Sequence, residues 1–242
     1  MSQVSFENFA RAARQSNLAD TEIAGRYAFQ AVAERQILPD ILAKLDIKPT
    51  DRLLEIGCGP GNLLIPLSYF VAQAIGIDNT AAIDRLNARA PIAEQMKGIA
   101  GNFLDIDLGD QVFDKILAYS VLHYLTSEEE VVRFIDKALS LCAPGGRLLL
   151  GDLTNRDHKA RFANSTEGRK VRAEWEKQVA NSTGHPFDAL PSDNQLVAVD
   201  DNLILDILKR YRQRGHEAYL LPQPPELPFG GSREDILIVL HR

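Results

Sequence analysis

The chain has 242 residues, 45% of them hydrophobic and 25% charged, a globular composition that excludes a disordered or fibrous protein and is long enough for one large core or two modest ones. Twenty-seven Lys and Arg against 33 Asp and Glu give a net charge of −6, which disfavours general binding to a nucleic-acid backbone. Two cysteines, Cys58 and Cys142, are too few for a disulfide framework or a four-thiolate zinc site, and no leader or apolar span is visible, so a cytoplasmic protein without membrane or metal is expected.

Residues 1–46 read as a helical cap, with Ile23, Tyr27, Ile37, Ile41 and Leu45 at three- and four-residue spacing and Pro39 as the point where the run breaks or restarts. RLLEI (52–56) is a short apolar run between turn residues, the pattern of a buried strand, and NLLIPLSYFV (62–71) is the helix after it. The alternation continues through strand AIGI (74–77), helix TAAIDRLNARA (80–90), and strands MKGIAG (96–101) and FDKILAY (113–119). Helix SEEEVVRFIDKALSLC (127–142) is predicted to end at Pro144-Gly145-Gly146, ahead of strand RLLLGDL (147–153). The rhythm then stops, and the polar segment 155–200 reads as an insertion or lid, helical around Val171, Trp175 and Val179. Helix 200–215 follows, with an Asp at its start and Gly215 past its end. Strands EAYLL (217–221) and DILIVL (235–240) form a hairpin, because the Pro- and Gly-rich linker between them does not suit a parallel crossover. The sum is one α/β domain over 1–242, doubly wound, with a mostly parallel seven-stranded sheet, an antiparallel C-terminal hairpin, helices on both faces and two cap segments.

The sharpest motif is Glu55-Ile56-Gly57-Cys58-Gly59-Pro60-Gly61, at the end of the first strand and leading into a helix. Its glycines turn the backbone tightly and admit a ligand against bare amides. The third glycine comes one position earlier than in a dinucleotide fingerprint, and Pro60 removes a donor that a diphosphate would use. Asp78 ends the second strand 21 residues beyond Gly57, where a carboxylate can accept hydrogen bonds from two ribose hydroxyls.

These residues resemble the S-adenosylmethionine-dependent methyltransferases of the seven-stranded Rossmann-like class over about residues 35–155. The resemblance implies S-adenosyl-L-methionine as cofactor and S-adenosyl-L-homocysteine as product. Glu55, Gly57, Gly59 and Gly61 would hold the methionine part, and Asp78 with the neighbouring Asn79 the ribose. In GNF (101–103) it sets Asn102 against the adenine amino group and Phe103 against the ring, although Asp is commoner at the first of these positions. FDKILAYSVLHYL is similar to the family pattern after the fourth strand, which puts Ala118, Tyr119 and Ser120 under the methionine and His123 and Tyr124 at the mouth.

Methyl transfer is an in-line displacement, so the protein has to align nucleophile and methyl, exclude water and, for a hydroxyl acceptor, remove a proton. His123 is the candidate base, against a purely packed histidine. Asp152, Arg156, His158 and Trp175 are candidate substrate residues, against roles as loop, ion-pair or anchoring groups. Residues 155–180 carry seven basic side chains against four acidic ones, which suits an anionic acceptor or, alternatively, a solvated helix face. Arg26 and Tyr27 are placed to help close the pocket. The expected function is methyl transfer to a small molecule, at oxygen, without nucleic-acid or membrane partners; an inactive cofactor-binding subunit and an NAD-dependent oxidoreductase stand as alternatives, and the oligomeric state is not legible.

Overall fold

A computed structural model describes residues 1–90, 95–182, 184–185, 187, 190–191 and 195–241. Seven strands form one sheet in the order β3-β2-β1-β4-β5-β7-β6. They are β1 (Arg52–Ile56), β2 (Gln73–Asp78), β3 (Met96–Ala100), β4 (Phe113–Tyr119), β5 (Cys142–Leu153), β6 (Glu217–Pro222) and β7 (Glu234–Val239). The first five pair in parallel, and β7 runs antiparallel to both β5 and β6. The order reverses between β1 and β4, so a crevice opens at the carboxyl ends of those two strands, where open sheets of this kind take their ligands.

The helices are α1 (Gln3–Ala13), α2 (Asp20–Ile23), α3 (Ala31–Glu34), α4 (Ile37–Leu45), α5 (Leu64–Ser68), α6 (Thr80–Arg89), α7 (Glu128–Ser140), α8 (Arg156–Asn164), α9 (Thr166–Ala180) and α10 (Asp201–Gln213). Strand residues alternate between two cores, as a sheet covered on both faces requires. Leu54, Ile116, Ala118 and Leu148 pack with Phe134 and Ile135 of α7 and Ile207 and Tyr211 of α10. Leu53, Leu117, Tyr119 and Leu149 pack with Ile37 and Ile41 of α4 and Leu64 and Leu67 of α5. Ser127 and Asp200 cap α7 and α10, each accepting from a backbone N–H three residues on, and Gly215 takes φ +87° just beyond α10.

Two boundaries differ from expectation. The break in the N-terminal cap falls at Arg35–Gln36, and Pro39 lies in the first turn of α4, where a missing N–H costs no helical bond. The fifth strand begins at Cys142 rather than Arg147: Phe113 pairs with Cys142, the register shifts, and Lys115 pairs with Arg147, so Pro144-Gly145-Gly146 forms an irregularity within the strand instead of a helix stop. The insertion contains α8 and α9; its residues 183, 186, 188–189 and 192–194 lie outside the described residues.

Candidate active site

The glycine loop leaves β1 against the end of β2, with the N–H groups of Gly57 and Cys58 both donating to the Ile77 carbonyl at 2.8 and 3.2 Å. Gly57 has φ +78°, and a Cβ there would lie 2.5 Å from a Val121 methyl; at Gly61, φ +90°, it would lie 2.3 Å from Leu86. These two glycines are fixed by backbone geometry and close packing. Gly59 is different: a Cβ would meet nothing within 4 Å, and its N–H donates to Asp78 Oδ2 at 2.8 Å. Asp78 Oδ1 accepts from the backbone and side-chain nitrogens of Asn79 at 2.6 and 2.8 Å, while Asn79 Oδ1 caps α6 by accepting from Ala82 N. Asp78 is therefore held by the loop on one side and the helix start on the other. Burial raises its carboxyl above the ordinary value, and the hydrogen bonds from Asn79 and Gly59 oppose that rise.

Glu55, on β1, is only 2% exposed, and its Oε2 has no hydrogen-bond partner. Burial pushes its carboxyl well above the usual carboxylate range, and the charge of Asp78 adds to the effect. Across the crevice Arg26 is buried too: Nη1 lies 3.2 Å from Glu34 Oε1, Nη2 donates to Ser120 Oγ at 3.3 Å, and Nε has no partner. Glu34 also accepts from Thr21 and from Asn62, the residue after the glycine loop, so it ties the N-terminal cap to the loop. Glu55, Arg26, Asp78 and Ser120 line one cavity of about 650 Å³, its open mouth included, roofed by Phe9, Ile23 and Tyr124. A smaller adjoining cavity is lined by Gly101, Asn102, Phe103 and Phe134 and shares Gly57, Asp78 and Val121 with the first, which puts Asp78 at their junction. A carboxyl and a guanidinium with unused hydrogen-bonding capacity, Glu55 and Arg26, 29 residues apart in the chain, thus face one chamber beside a second that is aromatic-walled. That arrangement can hold a zwitterionic amino-acid group, a diol and a planar ring in sequence.

Residues 54–150 match the family described as methyltransferase domain. The chain is 30% identical over 121 residues to the 23S rRNA (uracil(1939)-C(5))-methyltransferase RlmD of Bordetella pertussis, covering 47% of this chain and 24% of that protein. It is 31% identical over 128 residues to the ubiquinone biosynthesis O-methyltransferase of Rhodopseudomonas palustris, covering 51% of this chain and 47% of that protein. The chain thus spans from a quarter to about half the length of these relatives. Among solved structures, the Haemonchus contortus phosphoethanolamine N-methyltransferase 1, in complex with phosphoethanolamine and S-adenosylhomocysteine, superposes with a TM-score of 0.69 at 16% identity, over 98% of this chain and 49% of that one. The fold of the methyltransferase domain is the seven-stranded Rossmann-like one of class I, whose members draw their methyl group from S-adenosylmethionine.

The expected site residues separate into three groups. Glu55, Gly57, Gly59, Asp78, Tyr119 and Tyr124 meet in the larger cavity, and Asn102 and Phe103 in the smaller. Gly61 and Asn79 lie behind the cavities, shaping the loop and holding Asp78. Ala118 must be corrected: strand alternation sends it to the opposite face from Tyr119, into the core with α7 and α10. Arg156 is 64% exposed on its side chain and pairs with Asp200, and His158 sits between the Gly231 carbonyl and Glu234, so both clamp α8 to the C-terminal elements instead of facing the crevice. Trp175 packs against Tyr27, Phe29 and Phe229 with ring centroids 5.2–5.8 Å apart, fastening α9 to the cap and the last loop. Of the exposed basic residues of the insertion, Arg161 pairs with Asp201 of α10 and Arg172 with Glu176 one turn on.

His123 stands in a short turn, Leu122–Tyr124, beside the ring of Tyr124 at 4.3 Å. Its Nδ1 is buried without a partner, and burial lowers the imidazole to about 4, with Asp152 acting in the opposite sense. It is neutral at pH 7 but binds a proton weakly for a general base. Asp152 lies one layer behind the cavity, bonded to Ser120 Oγ. Sequence reasoning missed Phe9 and Ile23 on the roof and Arg233 beside Asp152, which lies 3.4 Å away; one Phe among the apolar positions of a helix and an Arg in a glycine-rich loop give no pattern that marks a site. Among the described residues no cluster of His, Cys, Asp or Glu is placed to hold a metal, and no helix is long and apolar enough to cross a membrane.

Proposed function

We propose that the protein is an S-adenosylmethionine-dependent methyltransferase that acts on a small-molecule acceptor at oxygen, in the cytoplasm. The observation that carries the cofactor reading is the opposed pair of buried groups with unused hydrogen-bonding capacity, Glu55 Oε2 and the Arg26 guanidinium, in a cavity with Asp78 at its far end. Glu55 would take the cofactor's ammonium, Arg26 its carboxylate, and Asp78 the ribose hydroxyls; Asn102 and Phe103 would receive the adenine in the adjoining cavity. When bound, the cofactor supplies a methyl group on a positively charged sulfur. Residues 1–46 serve as a cap over the site, and 155–200 as a lid, within one domain.

A small acceptor suits the net charge of −6 and the narrow roof of Phe9, Ile23 and Tyr124. The rRNA-directed relative modifies a base carbon, chemistry that in C5 enzymes uses a thiolate. Burial pushes Cys142 up to about 12 and Cys58 well above the ordinary thiol value, so neither thiol supports that route. An anionic acceptor drops out of the proposal, since none of the seven basic residues that suggested it lines the cavity, and Arg156, Arg161 and Arg172 pair instead with Asp200, Asp201 and Glu176.

Calorimetric titration with S-adenosylmethionine and S-adenosylhomocysteine, repeated with Asp78→Ala, tests the reading. Micromolar binding that weakens about tenfold or more in the variant, about 1.4 kcal/mol, is the expected result. Absence of binding by the wild-type protein overturns it.

A further inference from the structure

Ser120 directly follows β4 and Asp152 is the penultimate residue of β5, and both adopt the left-handed conformation, with φ of 60° and 58°. The other described non-glycine residue with positive φ, Asp46, ends helix α4, where that conformation is common; these two lie instead at the crevice. They are bonded to each other: Ser120 Oγ donates to Asp152 Oδ2 at 2.5 Å, and Ser120 N donates to the Gly151 carbonyl at 3.0 Å. The strands are pinned closely here, since a Cβ on Gly151 would lie 2.4 Å from the Tyr119 ring. Asp152 is fixed from behind as well. Its N–H donates to Asp235 Oδ1 at 2.9 Å, and Arg233, stacked over Phe229, pairs with its Oδ1 at 3.4 Å.

A proton count on Ser120 decides what it can do. Its hydrogen is committed to Asp152 and one lone pair to Arg26 Nη2, so toward the cavity it can only accept. The neighbouring titratable groups do not compete for that role. Tyr124, pushed up to about 12 by burial, keeps its own proton, and His123 presents a buried, weakly basic ring.

We propose that Ser120, backed by Asp152, receives the proton of the methyl acceptor, so that the acceptor, a hydroxyl compound on the reading above, arrives protonated. The inference rests on the methyltransferase reading above. As the acceptor oxygen bonds to the methyl carbon, the carbon–sulfur bond breaks and its electron pair stays on sulfur. The acceptor's proton passes to Ser120 Oγ while the Ser120 proton passes to Asp152. One positive and one negative charge disappear together, so the net charge of the site is the same before and after the transfer. Ser120 is the catalytic residue in this scheme, and Asp152 acts through it as a positioning and charge-bearing residue.

The test needs no acceptor. Sinefungin is a cofactor analogue in which an amine-bearing carbon replaces the methylated sulfur, so it presents N–H groups where the methyl and the acceptor meet; S-adenosylhomocysteine presents none. Calorimetry on the wild-type protein, Asp152→Asn and Ser120→Ala, each checked for a wild-type melting transition, reads the two affinities. The wild type is expected to favour sinefungin about tenfold or more, and both variants to bring the ligands within about threefold by weakening sinefungin alone. A preference unchanged in the variants, a wild type without preference, or an equal loss for both ligands overturns the proposal. A wild type that binds neither ligand overturns the methyltransferase reading itself, which the other results leave standing.

Discussion

Replacing Glu55 by Gln is expected to stabilise the ligand-free protein and to weaken its cofactor binding. The carboxyl is 2% exposed, has an oxygen without a partner and stands within the field of Asp78, so folding at pH 7 costs either the burial of an uncompensated charge or the uptake of a proton. A buried polar group left unsatisfied costs about 1–3 kcal/mol, more when charged, and the neutral amide removes the charge and the repulsion. For a chain of this size that corresponds to a rise in Tm of roughly 2–10 °C. The pH dependence has a definite sign. Unfolded Glu55 loses its proton near 4.5 while the folded group holds its proton to higher pH, so over that interval the folded state binds more protons and wild-type stability falls as pH rises. The gap between E55Q and wild type should therefore be small near pH 4.5 and open toward neutrality. Calorimetric melting at several pH values without ligand, followed by titration with S-adenosylhomocysteine, measures both effects. The ligand affinity should fall about 100-fold, since an amide cannot pair with an ammonium as a carboxylate does. An E55Q protein that melts below wild type at pH 7 would refute the reasoning, because it would mean that the carboxylate is satisfied in the folded state.

Two further outcomes follow from the same geometry. Gly57→Ala meets Val121 at 2.5 Å with φ at +78°, so it should lose about 2–4 kcal/mol of stability, and Val121→Ala in the same chain should recover the steric part but not the conformational part, as measured by urea unfolding. His123, lowered by burial to about 4 from an unfolded value of 6.5, contributes stability above pH 6.5 that is lost as the pH falls toward 4. Melting curves of wild type and His123→Gln should therefore converge toward the alkaline side and separate below pH 6.5 to the disadvantage of the wild type; parallel curves would show that the imidazole titrates normally.

The sheet was legible because its residues obey local rules. RLLEI, AIGI and FDKILAY are apolar runs buried on both faces, Ser127 and Asp200 cap the helices their positions suggest, and the proline-rich linker enforces the hairpin. Where the reading slipped, a local signal had two meanings. Pro144-Gly145-Gly146 looks like a helix stop but is accommodated as a shift of register in β5, and Pro39 looks like a break but fits a helix's first turn. Ala118 was misplaced by treating successive residues of a strand as neighbours, although Ala118 and Tyr119 face opposite cores.

The lid residues were illegible for a different reason. Arg156, His158 and Trp175 carry types of side chain that bind ligands and types that fasten one element to another, and only their partners distinguish the two: Asp200, Glu234 and the ring of Tyr27 are distant in sequence. The site betrays itself by the opposite sign. Among the described residues the buried polar atoms without partners belong to Arg26, Glu55, His123, Gln223 and Arg233. Arg26 and Glu55 line the cavity, Gln223 is bonded to Tyr119 in its wall, Arg233 pairs with the Asp152 that supports Ser120, and His123 packs on Tyr124. Left-handed Ser120 and Asp152 fall within the same few ångströms of chain contact. A sequence whose remaining core satisfies its hydrogen bonds concentrates its unmet ones, and its backbone strain, at the carboxyl ends of β1, β4 and β5. Removing those defects one at a time, as with E55Q, should therefore move stability and ligand affinity in opposite directions, which is the behaviour of a binding site and not of a flaw in packing.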